Sequence, residues 1–255
     1  LASGVLTLEN KQTGQRVEDF LTFVDCGDDG DEFDFAPLAD EQPLTCREFH
    51  FVTCESSAQV SRLTLRSSLI LPANMAERQA GLARQKMAIA TTLELRDGEG
   101  FVRVHHQLIN AATDHRLRVH LKTPVAQPKY SFADQGFSII RRETVNPYVA
   151  QWRELGFVEK PMPIYTLENV VYLQNAQHCF GVITKGIKEY EVLPESDTLA
   201  LTLFRSVGLL GKDDTLWRPG RASGINNKVV ETPDAQMLQE MEFDYALLLD
   251  SPQDE

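Results

Sequence analysis

The chain is 255 residues long, 42% hydrophobic and 24% charged, with a net charge of −12, enough to bury a substantial core in one large domain or two small ones. Its acidity argues against nucleic acid, where binding rests on neutralising phosphates, and no run of about 18 apolar residues is present to span a membrane. No charged, apolar and small-residue zones in series mark a signal peptide; the first residue is Leu1 rather than Met, which suggests a processed chain or a piece of a longer one.

Turn residues at Asn10 to Gly14 open the chain. Between Val17 and Cys46 there are ten acidic residues and no basic one, among them Asp25, Asp28, Asp29, Asp31 and Asp34. That asymmetry suits a docking surface for another domain or a solvated acidic face. The four cysteines (Cys26, Cys46, Cys54, Cys179) contain no C-x-x-C and no paired spacing, so reduced, buried thiols in a cytoplasmic protein are expected. Residues 74–86, "NMAERQAGLARQK", favour one or two helical turns or a loop.

The dominant period from there on is two. In "FVRVHHQLIN", Val102, Val104, His106 and Leu108 share one face, and Arg103, His105 and Gln107 the other. In "RLRVHLK", Leu117, Val119 and Leu121 point inward while Arg116, Arg118, His120 and Lys122 point out. This is the pattern of antiparallel strands with one wet face. The Pro-rich stretch "EKPMPIYTL" reads as a long loop or a break between two halves. "ENVVYLQNAQHCFGVITKG" reads as a hairpin turning at Asn175 to His178, and "EFDYALLL" puts Phe243, Tyr245 and Leu247 together. About a dozen strands without βαβ alternation predict an all-β antiparallel sandwich or supersandwich with little helix.

Several chemistries find no anchor. The six histidines form no H-E-x-x-H and no helical pair, and neighbouring His105 and His106 face opposite ways on a strand. Read as a calcium loop from Asp25, "DCGDDGDEFDF" places Gly27 third and Ala36 twelfth, where a carboxylate is needed. There is no G-x-S-x-G elbow, and Cys179 beside His178 reads as a structural thiol. Paired carboxylates for glycoside chemistry, roughly 5 to 10 Å apart, would come from Asp213 and Asp214 or from Asp31 and Asp34. Adjacent acids on loops also cap turns through backbone N–H groups.

The stretch "LLGKDDTLWRPGRASG", residues 209 to 224, is the strongest binding loop. Arginine suits bidentate recognition of carboxylates, phosphates and hydroxyl-bearing ligands. Pro219-Gly220 would turn the chain between Arg218 and Arg221, with Gly220 at positive φ. Trp217 would either stack on a sugar face or tuck into the core.

Five segments in order, "GDDGDEFDFAPL", "INAATDHRLRVHL", "SFADQGFSIIRRE", "TLALTLFRSVGLLGKDDTLWRPGRASG" and "TPDAQ", resemble the C-terminal β domain of bacterial α-mannosidases of glycoside hydrolase family 38. The likeness covers nearly the whole chain. It implies a galactose mutarotase-like supersandwich over 1–255, from which the upstream catalytic and helical domains of the polypeptide are missing. In the family those domains carry the aspartate nucleophile, the general acid and the ligands of a divalent metal, usually zinc. The resemblance therefore implies a retaining, metal-dependent mannosidase acting on a mannoside, with no catalytic residue and no metal ligand in this chain. It implies a substrate-facing loop in which Arg218, with Gly220 beside it, reaches the substrate region. Arg221 follows as a further candidate, where Ala222-Ser223-Gly224 departs from the family's usual Ala-Gly-Pro, and the acids Asp31, Asp34, Asp213 and Asp214 are candidates for supporting the rim. A stand-alone carbohydrate-binding module would need an exposed aromatic platform, for which exposure of Trp152 and Trp217 is the test. An epimerase-like enzyme would need a His and a Glu converging in one cleft, with His105, His120 and Glu94 as the formal candidates. A homo-oligomer stays open.

Overall fold

The computed structural model describes residues 4–220 and 229–252. The chain forms the all-β antiparallel supersandwich that its periodicity predicts. One sheet has nine strands, in the spatial order Ser138–Glu143, Tyr130–Gln135, Val170–Gln174, Cys179–Lys185, Glu240–Asp250, Val102–Ile109, Gln85–Arg96, Val60–Leu71 and His50–Ser56. The other has six: Ile164–Thr166, Glu189–Leu193, Thr198–Ser206, His115–Lys122, Leu21–Gly27 and Leu44–Cys46. Two short ribbons, Thr7–Glu9 with Arg16–Glu18 and Leu209–Gly211 with Val230–Glu231, complete the strands. These add up to nineteen strands among the described residues; pieces of two or three residues are too short to display a period, which is why fewer were legible in the sequence.

The inward faces follow the alternation. Val104, His106 and Leu108 from one sheet, and Leu117, Val119 and Leu121 from the other, join one continuous core with Phe23, Phe180 and Tyr190. Asn175 closes the predicted hairpin, its side chain accepting the N–H groups of Gln177 and His178 at 2.8 Å each. The helical signal yields one short helix, Met75–Gln79, capped by Asn74 Oδ1 on the Glu77 N–H. Residues 144–163 carry no strand and lead from the edge of the large sheet to the edge of the small one.

Two expectations need correction. The outer face of His115–Lys122 is dry over its first half: Arg116 is 3% exposed and Arg118 8%, and only Lys122 at the far end is exposed. The loop that follows Leu21–Gly27 folds over it, laying the Phe35 ring 3.5 Å from the Arg116 guanidinium carbon. The acid-rich segment is likewise not a solvated face throughout, because Asp25, Asp28 and Asp31 are buried. The cysteines are free thiols; Cys26 and Cys179 are buried, but Cys54 is exposed on the edge strand His50–Ser56. No helix of the described residues is long and apolar enough to cross a membrane.

The core contains a polar chain. Thr91 Oγ1 lies 2.9 Å from His106 Nδ1, and His106 Nε2 lies 2.8 Å from the Tyr245 hydroxyl, all three residues buried. Burial pushes the His106 ring down to about 3, so it stays neutral where a free histidine near 6.5 would charge. Below pH 6.5 the unfolded chain then binds more protons at this site than the folded one, and stability falls with pH, by up to about 1.4 kcal/mol per pH unit. Chemical denaturation between about pH 7 and pH 5 should show this decline, and His106→Gln should flatten part of it. An equal slope in the variant would contradict the neutral core ring.

Candidate functional site: an acid loop held by three cations

The loop from Gly27 to Ala36 is built by its own aspartates. Asp28 Oδ1 accepts the N–H groups of Gly30 (3.1 Å) and Ala36 (3.3 Å), and Asp31 Oδ1 those of Phe33 (2.9 Å) and Asp34 (2.8 Å). These are side-chain turns that short acidic residues favour. Gly30 is required by space, since a Cβ there would stand 1.9 Å from the Asp34 carbonyl oxygen.

Four carboxylates in so short a loop need counter-charge, and it comes from one stretch of chain. Arg205, on Thr198–Ser206, donates to Asp28 Oδ2 at 2.7 Å and Oδ1 at 3.2 Å, and to the carbonyls of Asp31 (2.7 Å) and Asp34 (2.8 Å). Burial works against its charge, but Asp28 outweighs that and holds the guanidinium above its ordinary value. Lys212 bonds the carboxylate of Asp29, while its backbone N–H donates to Asp31 Oδ2 at 2.9 Å. Arg218 donates to Asp31 Oδ2 and to the Lys212 carbonyl, 2.8 Å each, and pairs with Asp34.

The sequence-predicted site residues are therefore partly gathered. Asp31, Asp34 and Arg218 meet in one ion-paired cluster, with Arg218 2% exposed. Asp213 and Asp214 stand exposed on the loop above it. Gly220 has φ 72° and donates its N–H to Asp214 Oδ1 at 3.0 Å, the turn expected of Pro219-Gly220. Arg221 lies outside the described residues. Trp217 is half-buried, its ring edge-on to Phe35 at 5.7 Å with the Lys160 ammonium 4.3 Å from its centroid. Trp152 is buried, so neither tryptophan offers an open platform. Glu94 and His105 line one cleft on the outer face of the nine-stranded sheet, where Glu94 is paired with Arg62 and Arg96 and His105 lies 2.9 Å from Asp244; His120 lies on the other sheet.

Sequence reasoning missed Arg205, Asp28, Asp29 and Lys212. It also missed the cluster at the base of the loop. There the buried Asp25 accepts from Arg78 Nη2 at 2.6 Å and lies 2.5 Å from His115 Nδ1. Arg78 Nη1 reaches Glu41 at 2.6 Å, and both Glu41 oxygens take the Gly27 N–H. Beside the loop lies a cleft of about 410 Å³, walled by Asp28, Asp29, Asp114, Lys212, Glu231 and Gln236. An acidic cleft with few free cations suits hydroxyl-rich neutral ligands better than anions. Among the described residues no three His, Cys, Asp or Glu side chains are placed to hold a metal ion.

Removing Arg218 would take from the fully buried Asp31 carboxylate the guanidinium that pairs with it. Arg218→Ala should destabilise the fold by about 3–5 kcal/mol, whereas Asp213→Ala, at an exposed position, should stay within about 0.5 kcal/mol. Urea denaturation of both variants checks this; equal, small effects would contradict the buried clamp.

The comparisons agree on one family. Residues 2–214 match the C-terminal domain of glycosyl hydrolases family 38. A protein described as "Putative mannosylglycerate hydrolase" from Halalkalibacterium halodurans is 26% identical over 265 aligned positions, which take in 96% of this chain and 27% of that protein. Two Enterococcus faecalis structures share the fold at 23% identity. One, a protein in glycosyl hydrolase family 38, superposes with a TM-score of 0.77 over 97% of this chain and 28% of its own. The other, an alpha-mannosidase, gives 0.78 over 96% and 27%. The chain thus spans about a quarter of the length of the relatives it matches. It belongs to glycosyl hydrolase family 38, as that family's C-terminal domain.

Proposed function

We propose that this chain is the C-terminal part of a retaining, metal-dependent α-mannosidase and that its acid loop and the 209–220 loop line the rim of the active-site cleft. The observation that carries the reading is the family match over residues 2–214, together with a chain that spans only about a quarter of its relatives. The remaining three quarters of such a protein would hold the nucleophile, the general acid and the divalent metal, zinc by the resemblance. The described residues do not fit a metal, and no step on this chain runs through one.

In this reading the rim contributes binding energy and excludes water from the cleft. Asp213, Asp214 and the Gly220 turn face outward and are the groups available to sugar hydroxyls, with Arg221 beside them in sequence. Arg218 acts as a positioning residue, since its guanidinium is taken up by Asp31, Asp34 and the Lys212 carbonyl. The likeness to a protein described as a mannosylglycerate hydrolase makes mannosylglycerate, or its 6-phosphate, the first substrate to try. The four free thiols suit a reducing, cytoplasmic setting.

The intact polypeptide should hydrolyse an aryl α-mannoside and lose that activity with EDTA, while the isolated 255-residue chain should give none. Metal-dependent turnover by the isolated chain would overturn the assignment of the chemistry to other domains. In the intact enzyme, Arg218→Ala should lower kcat/KM by roughly 10- to 100-fold, about 1–3 kcal/mol. Unchanged kinetics would remove the rim role of this loop.

A further inference from the structure

The outer face of the six-stranded sheet carries a feature that the rim reading does not use. Arg116, Arg118, His120 and Lys122 alternate along His115–Lys122 and share that face. Arg116 and Arg118 are more than nine-tenths buried, His120 is half-buried, and Lys122 is exposed. The row therefore runs from beneath Phe35 out to solvent.

What surrounds the row is poor in acceptors. Across the strand pairing, Arg116 faces Cys26 and Arg205, Arg118 faces Val24 and Thr202, and His120 faces Thr22 and Ala200. No carboxylate lies directly opposite any of them. The nearest acids come from one strand further. Glu191 accepts from Arg118 Nη1 at 2.5 Å. Glu189 stands 3.7 Å from Arg116 Nη1, too far for a hydrogen bond, and it already accepts the Thr202 hydroxyl at 2.5 Å. Arg116 Nε and Nη1, Arg118 Nε and His120 Nε2 are buried without a hydrogen-bond partner.

The other buried arginines differ in the carboxylates they meet, although Arg78 Nε is likewise without a hydrogen-bond partner. Arg78, Arg205 and Arg218 each meet a buried carboxylate within 2.8 Å. Arg78 is held above its ordinary value although burial opposes it, because Asp25 and Glu41 outweigh the burial. Arg116 is pushed down, by burial first and by Arg118 second, and burial with those two arginines takes His120 down to about 3. An unpartnered buried donor costs about 1–3 kcal/mol, more when charged, so three guanidinium donors on one face, with an unpartnered imidazole nitrogen beside them, call for an acceptor the polypeptide does not supply.

We propose that Arg116, Arg118 and His120 form a binding site for a small oxyanion, a phosphate or a carboxylate, on the outer face of the six-stranded sheet. Alternate residues on a strand stand roughly 6.5–7 Å apart. A tetrahedral or planar oxyanion can accept from two neighbouring guanidinium groups at that spacing, bonding Nε of each and the second Arg116 donor. In the tautomer that carries its proton on Nε2, neutral His120 adds a donor, Lys122 marks the open end, and Phe35 closes the other by stacking on Arg116. Besides Glu189 and Glu191, the charged groups around the site are Arg205 and Lys160, the latter near Glu191. The site stands independently of which mannoside the intact protein hydrolyses.

The test is thermal unfolding of the chain with inorganic phosphate, D-glycerate and a hexose 6-phosphate, each against chloride at equal ionic strength, with the His120 ring followed by NMR. Phosphate or glycerate should raise the midpoint saturably and shift the His120 ring resonances. The more effective of the two identifies the anion, and a stronger response to the hexose 6-phosphate assigns the site to the charged group of a sugar ligand. Arg116→Met and Arg118→Met should each weaken the response at least tenfold. Arg116→Met should match or exceed the parent midpoint in chloride alone, because it removes a buried charge that only Glu189 at 3.7 Å and the Phe35 ring offset, which separates lost binding from lost folding. Arg66→Met, on the other sheet, should respond like the parent. No saturable response in the parent, an undiminished response in Arg116→Met, or an Arg116→Met chain that melts well below the parent in chloride would overturn the site.

Discussion

The geometry of the candidate site depends on Arg205. Asp28, Asp29, Asp31 and Asp34 fall within seven residues, and two like charges about 4 Å apart repel by about 4 kcal/mol at a protein-like effective dielectric. Without a cation beneath it the acid loop would open to water. Arg205 projects from the strand that underlies the loop and bonds a carboxylate and two carbonyls of it at once. That turns mutual repulsion into a fixed fold of backbone. The fork geometry of the guanidinium matters here, since a lysine ammonium could not satisfy a carboxylate edge-on and two carbonyls together.

The same stretch of chain then closes over the loop from above. Leaving its strand at Ser206, it returns Lys212 to Asp29 and Arg218 to Asp31 and Asp34. The Asp31 carboxylate binds both segments: one oxygen takes amides of its own loop, the other the Lys212 amide and the Arg218 guanidinium. Two loops distant in sequence become one body, and the exposed Asp213, Asp214 and Gly220 ride on it. Next to this satisfied cluster, on the same face of the sheet, Arg116 Nε and Nη1 and Arg118 Nε show the opposite condition, buried donors without an acceptor.

Much of the fold was legible because a period of two survives in a long strand with one apolar face. "RLRVHLK" and "EFDYALLL" both reported their inward residues correctly. What they could not report was the second face, since alternation says which side chains leave the core and not whether a loop later covers them. Arg116 was read as wet for that reason. The acid loop failed the same way: ten acids without a base look solvated when the cations that hold Asp28, Asp29, Asp31 and Asp34 lie some 180 residues away. One signal was present. Arg205 is the single charged residue in the apolar strand "TLALTLFRS", and a charge in such a strand marks a buried pair. The Gly220 turn was readable because Pro-Gly chemistry is local, whereas the engagement of Arg218 with Asp31 and Asp34 depends on tertiary contacts. The family came from the order of five segments, which no periodicity argument supplies.

The central claim is that the acid loop and the 209–220 loop are one cooperative body locked through Asp31. Native-state hydrogen exchange tests it directly, on the amides of Phe33, Asp34 and Lys212, which all donate to that carboxylate. The account predicts that the three exchange with one shared opening free energy and lose protection together when Arg218 is replaced by Met. Lys212 exchanging independently of Phe33 and Asp34, at the rate of an unprotected loop amide, would contradict it.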